Sequence, residues 1–294
     1  MPQQGDPHDR SRRVVHLARA APPDRGRGGP KVLIRRSYID GPYGQIHLRE
    51  SGRGGTPLLL LHQSPLSGAM FDAVLSLLGE AGFHSVAMDT PGFGRSDRPA
   101  EPVGISGYAA AIPAVLDALG WARADILGHH TGASIAAAFA AQHSGRVGNL
   151  ILNGVALLSE EERAHFMQFR FVPLEPVADG SHLVAAWTQR VAATPGWTNL
   201  PAMHRHVVEL LANPTDYHWG FTAAFAHDLR ADLLAITVPT LILTNTGEDL
   251  YEASKRAGEL RPDFAFAALD GGTHDIVDEQ PEVWTQAVMD WLRA

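Results

Sequence analysis

The pentapeptide Gly128-His129-His130-Thr131-Gly132 decides how this chain reads. It follows Ala124-Asp125-Ile126-Leu127 and precedes the small-residue stretch Ala133 to Gln142, so it reads as a tight strand-to-helix turn. Its frame is that of G-x-S-x-G, in which such a turn lifts a serine hydroxyl above a sheet. Here the apex is an imidazole, His130. The apex of such a turn is strained and closely approached by residues two before and two after it. Gly128, Gly132 and the small Ala133 meet that demand.

Working outward, Ser37 to Asp40 and Gln45 to Arg49 flank Gly41-Pro42-Tyr43-Gly44 as the arms of a hairpin. Pro57-Leu58-Leu59-Leu60-Leu61-His62 is a continuous apolar run, as expected of a strand buried on both faces of a parallel sheet. Further strands are expected at 85–89, 150–153, 240–244 and 264–269. Helices are expected at 68–79, from a cap at Ser106 to Leu119, and from Glu282 to Leu292. Strands alternating with helices over this length imply a mainly parallel sheet with helices on both faces.

The alternation stops between 157 and 236, where only helical patterns occur, among them Glu160 to Phe169, Leu183 to Ala192 and His204 to Leu211. An all-helical insert between two strands reads as a cap over the carboxyl edge of the sheet. Trp187, Trp197, Tyr217, Trp219, Phe221 and Phe225 either pack that cap or line a cavity beneath it.

Residues 1–31 hold seven Lys/Arg against three Asp, leaving −12 on the rest of a chain whose formal net charge is −8. So acidic a body does not favour nucleic acid. The first 35 residues are expected to be a disordered extension, because their composition buries too little to order itself. They lack the apolar core of a secretory signal, and no segment reaches a membrane span of roughly 18 apolar residues. The expectation is a cytoplasmic protein with no membrane partner. With no cysteine, redox compartment is unreadable.

Four segments, in order and spacing, resemble the α/β-hydrolase fold superfamily over residues 36–294. His62-Gln63-Ser64-Pro65 looks like the oxyanion-loop motif H-G-x-P. Asp89-Thr90-Pro91-Gly92-Phe93-Gly94-Arg95-Ser96 matches D-x-x-G-x-G-x-S. Gly128 to Gly132 matches the nucleophile elbow. Gly272-Thr273-His274, with Glu279 and Pro281, matches the terminal histidine loop. The resemblance implies an eight-stranded, mainly parallel sheet. Its core is 36–156 with 237–294, and its helical cap is 157–236.

It also implies the site. His130 stands where the superfamily places serine, cysteine or aspartate. His274 takes the place of the general base, and an acid beyond the strand ending near Thr244 orients it. That acid is Asp249 or Glu248: counting from the strand favours Glu248, and the superfamily's usual aspartate favours Asp249. The backbone N–H groups of Ser64 and Thr131 form the oxyanion hole, with the Gln63 side chain added beside it. Such donors are commonly worth about 2.7–4 kcal/mol each. His129 and His62 are assigned supporting roles.

No H-E-x-x-H or comparable spacing points to a metal, although His165, His218 and His227 lie in the cap. Neither metal nor cofactor is expected. The expected partner is a small, largely neutral molecule; Arg95 and Arg230 either meet a carboxylate or, the favoured reading, are solvated surface charges. Three functions fit. The first is hydrolysis of an ester or lactone, with His130 as nucleophile or water-activating base. The second is cofactor-free base catalysis by a lyase, isomerase or oxygenase. The third is a non-catalytic ligand-binding member.

Overall fold

The computed structural model describes residues 14–16, 33–167, 174–194, 196–213 and 215–294. Its sheet has nine strands: β1 Val14–His16, β2 Arg35–Gly41, β3 Gly44–Ser51, β4 Thr56–Leu61, β5 Phe83–Met88, β6 Ala124–His129, β7 Val147–Asn153, β8 Thr240–Asn245 and β9 Ala265–Leu269. The order across the sheet is β1-β9-β8-β7-β6-β4-β5-β3-β2. β3 runs antiparallel to β2 and to β5, and every other pair is parallel. Eight strands match the expected sheet. The three-residue β1 adds a ninth at the edge, within the span expected to be an extension; residues 1–13 and 17–32 lie outside the described residues.

The apolar runs are explained by burial on both sides. Leu59 and Leu61 of β4 pack into one core cluster, whereas Leu58 and Leu60 pack into the other on the opposite face. All four are fully buried, and each contributes about 1.5–3 kcal/mol relative to exposure. The helix Thr131–Gln142 covers the first face, and Asp72–Glu80 with Pro281–Leu292 the second.

One local expectation is corrected. The helix expected from a Ser106 cap to Leu119 is two helices, Ile105–Ala109 and Ile112–Ala118, the first capped at Gly104. Pro113 lies in the first turn of the second. Its missing N–H is harmless there but would break the interior of a continuous helix.

The segment 157–236 contains Glu160–Met167, Ser181–Ala193, Leu200–Ala212, Trp219–Ala226 and Leu229–Ala235. The expected end of the first helix at Phe169 lies outside the described residues. Tyr217, Trp187 and Phe221 pack with Leu174, Ala186, Val207 and Leu210 in a small separate core. Those aromatics therefore serve packing. No helix among the described residues is long and apolar enough to cross a membrane.

Register gathers the chemistry. His129 of β6 pairs with Asn153 of β7, which pairs with Leu243 of β8. The residues just beyond these positions, 130, 154 and 244–248, therefore emerge side by side at the carboxyl edge.

Candidate active site

His130 has φ 51° and ψ −110°, and is the one non-glycine residue with positive φ among those described. Its N–H donates to Asn153 O at 2.8 Å, and its carbonyl accepts from Ala133 N at 2.8 Å. A Cβ on Gly128 would stand 2.0 Å from Gly132 O, and one on Gly132 would stand 2.1 Å from Leu61 O. Backbone would have to move in either case. The glycine pair thus permits the turn.

The His130 ring turns toward β8. Its Nε2 lies 2.7 Å from Glu248 Oε2, and the Glu248 side chain is fully buried. The other carboxylate oxygen accepts from Thr244 Oγ1 and, at 3.3 Å, from Asn245 N. Burial pushes the Glu248 pKa upward. The hydrogen bond and charge of His130, with the Thr244 hydroxyl, outweigh this and hold it below the usual carboxylate value. An ionised carboxylate only accepts, so His130 Nε2 carries the proton and a neutral ring keeps its lone pair on Nδ1. Gly154 leaves room for the ring, since a Cβ there would meet His130 Cδ2 at 2.3 Å.

The second imidazole, His274, has its ring centroid 6.3 Å from that of His130. Its loop is held by Asn245 Nδ2, which donates to Gly271 O and Thr273 O at 2.9 and 3.1 Å, and by Glu279, which accepts from Thr273 N and Oγ1. Burial lowers the His274 pKa, partly offset by the Asp275 charge.

The acid expected at His274 is placed differently. The Asp249 carboxylate is 79% exposed and stands 3.9 Å from His274 Nδ1, beyond hydrogen-bond reach. Glu248 bonds His130 instead. The physical reason is the turn after β8: Thr244 and Asn245 N draw residue 248 inward, which leaves residue 249 facing solvent. The carboxylate nearest His274 Nε2 is Asp275, at 3.3 Å. Asp275, Gly154 and Thr244 were not singled out from sequence.

Ser64, Gln63 and Thr131 are buried around the elbow, and Thr131 opens the helix Thr131–Gln142. The Ser64 and Thr131 N–H groups make no loop or turn hydrogen bond among the described residues. Gln63 Nε2 donates to Asp275 Oδ1 at 3.1 Å. His62 Nδ1–H donates to Gln63 O at 2.9 Å, and its Nε2 accepts from Thr90 N at 2.8 Å; burial keeps this ring neutral.

His129 lies beneath the site. Its Nδ1 is 2.9 Å from Asn153 Oδ1, which also accepts from Trp284 Nε1, and its Nε2 is 2.9 Å from His274 O. Burial first, then the neighbouring His130, pushes its pKa down to about 4. The neutral ring donates to one of these two acceptors.

Arg95 and Arg230 are exposed. Among the described residues no group of three or more His, Cys, Asp or Glu is arranged to hold a metal ion.

A family model described as alpha/beta hydrolase fold matches residues 56–279. The chain belongs to the α/β-hydrolase fold family. A Bacillus subtilis member, AB hydrolase superfamily protein YisY, is 30% identical over 198 residues, 64% of this chain and 73% of that protein. The 2-(acetamidomethylene)succinate hydrolase of Mesorhizobium japonicum is 26% identical over 266 residues, 85% of this chain and 93% of that one. Among solved structures, epoxide hydrolase A from Mycobacterium thermoresistibile superposes with a TM-score of 0.73 at 20% identity. It covers 89% of this chain and 99% of its own. The chain is an enzyme of the α/β-hydrolase type, with an imidazole–carboxylate pair at its elbow.

Proposed function

We propose that this enzyme hydrolyses an ester or lactone of a small, largely apolar molecule, with His130 as the base that activates water. The observation that carries the reading is the 2.7 Å contact between His130 Nε2 and Glu248 Oε2. The carboxylate fixes the proton on Nε2 and stabilises the imidazolium that forms when Nδ1 takes a proton from water. The hydroxide adds to the carbonyl carbon, and the oxyanion is received by Ser64 and Thr131 N–H. The proton then passes to the leaving oxygen. His274 is the second imidazole of the site and shares this traffic.

Direct attack by Nδ1 would give an acyl-imidazole and is the competing route. The same dyad also suits proton abstraction from carbon, because it needs no hydroxyl at the apex.

Turnover of a panel of aryl esters and lactones by the wild type, His130→Ala and His274→Ala tests the proposal. Loss of turnover in His130→Ala is the expected result, and unchanged turnover in both variants sinks the hydrolytic reading. Intact-mass measurement during turnover separates the routes, since an acyl adduct on His130 marks nucleophilic attack.

A further inference from the structure

Asp275 follows His274 directly, and its carboxylate is almost wholly buried, at 1% exposure. Its Oδ2 lies 3.3 Å from His274 Nε2 and also receives the Arg190 guanidinium. Its Oδ1 accepts from Gln63 Nε2 at 3.1 Å and lies 3.7 Å from His206 Nδ1. Arg190 belongs to the helix Ser181–Ala193 and His206 to Leu200–Ala212, so oxyanion loop, histidine loop and cap meet at one carboxylate.

We propose that Asp275 is the positioning carboxylate of His274, and that Arg190, by binding the same oxygen, sets how much of that carboxylate's charge His274 feels. For its catalytic meaning this rests on the proposed role of His274 in proton transfer; the charge coupling itself needs no substrate.

The argument is one of competition. A guanidinium stays protonated throughout the working pH range, so the seated Arg190 neutralises much of the Asp275 charge. His274 is then left with a partly quenched neighbour in a buried setting, and its proton is held weakly. Withdrawal of Arg190 exposes His274 to the full carboxylate and strengthens its hold on the proton. Cap seating and the proton load of His274 become linked.

The surrounding groups support this assignment. His206 Nδ1 accepts from Arg190 Nε at 3.1 Å, and its Nε2 lies 3.0 Å from Asp278 Oδ2, so the ring orients Arg190. Arg205 neutralises Asp278. Burial opposes ionisation of Asp275, yet His274 beside it and the charge and hydrogen bond of Arg190 hold its pKa below the usual value. The remaining groups facing His274 are His130 and the exposed Asp249. Gln63 also acquires a purpose, since its amide fixes the second oxygen of Asp275.

Ring-labelled histidine NMR on the full-length chain, with the His274 signal assigned through His274→Gln, reads the coupling without any substrate. The expected His274 midpoint falls by about one unit in Asp275→Asn and rises by about one unit in Arg190→Met. It stays near the wild-type value in Arg190→Lys and in Asp249→Asn. Loosened packing would raise the midpoint in both of the first two variants, so the opposite signs exclude a merely structural effect. A midpoint unmoved or raised in Asp275→Asn, or lowered in Asp249→Asn as far as in Asp275→Asn, overturns the proposal. If Asp275→Asn does not fold, the arginine pair decides: a rise in Arg190→Met alone supports it, and equal midpoints overturn it. A protein that shows these shifts but turns over no ester refutes the hydrolytic reading and leaves this inference standing.

Discussion

His130 Nε2 and Glu248 Oε2 stand 2.7 Å apart across the tips of β6 and β8, with Gly154 between them supplying the room. Glutamine at 248 keeps the shape but removes the charge that stabilises an imidazolium. Glu248→Gln is therefore expected to lower kcat on the best aryl ester by about 10²–10⁴-fold, with the far-UV circular dichroism retained. An unchanged kcat would remove Glu248 from the chemistry.

Gly154→Ala tests the room itself. Its φ is +68°, and an added methyl would stand 2.3 Å from His130 Cδ2 and 2.9 Å from Glu248 Oε2. The strained backbone is expected to cost about 1–3 kcal/mol in urea unfolding. Displacement of the ring is expected to cost about 10²-fold in turnover. Gly145→Ala, where the methyl meets nothing within 4 Å, is the control expected to change neither.

Acid sensitivity follows from the buried imidazoles. The His129 pKa falls from 6.5 to about 4, chiefly through burial, so the unfolded chain binds this proton first as pH drops. Stability is then full above pH 6.5 and is lost progressively down to about pH 4. That one ring accounts for about 3 kcal/mol. Glu248 and Asp275, whose pKa values are also depressed, add loss of the same sign further into acid. Urea midpoints measured between pH 7 and 4.5 should fall steeply in the wild type and less in His129→Gln. Parallel slopes would refute the assignment to His129.

How much of this was legible in the sequence depends on the distance over which each feature is decided. The elbow was readable because glycines at 128 and 132 answer a steric demand within five residues, and β4 because an unbroken leucine run needs two covered faces. The choice between Glu248 and Asp249 was not, since a one-residue difference in a turn decides which side chain faces inward. The Arg190–Asp275 contact joins residues 85 apart and left no local pattern. Pro113 carries a local signal, since a proline is at home in the first turn of a new helix, here Ile112–Ala118.

Cap docking is open to a direct test at Gly220, which starts the approach of Trp219–Ala226 to the oxyanion loop. A methyl there would lie 1.9 Å from Ser64 Oγ and 3.1 Å from Phe93 Cζ. Alanine is the better helix former by about 1 kcal/mol, so a loss in Gly220→Ala reports the clash and not the helix. The expected result is a lower kcat/KM and a lower Tm, each partly restored in the Gly220→Ala, Ser64→Ala double variant. A fully active single variant would show that this helix does not bear on the loop.

The turn at residue 130 is held by bonds from its own backbone to Asn153 and Ala133 and by two flanking glycines, none of which involves the imidazole. The position therefore behaves as a socket. Serine, cysteine or aspartate placed there would be presented from the same backbone, beside the same neighbouring carboxylate. That makes this chain a scaffold on which rival apex side chains can be ranked from one backbone, with the side chain as the only variable.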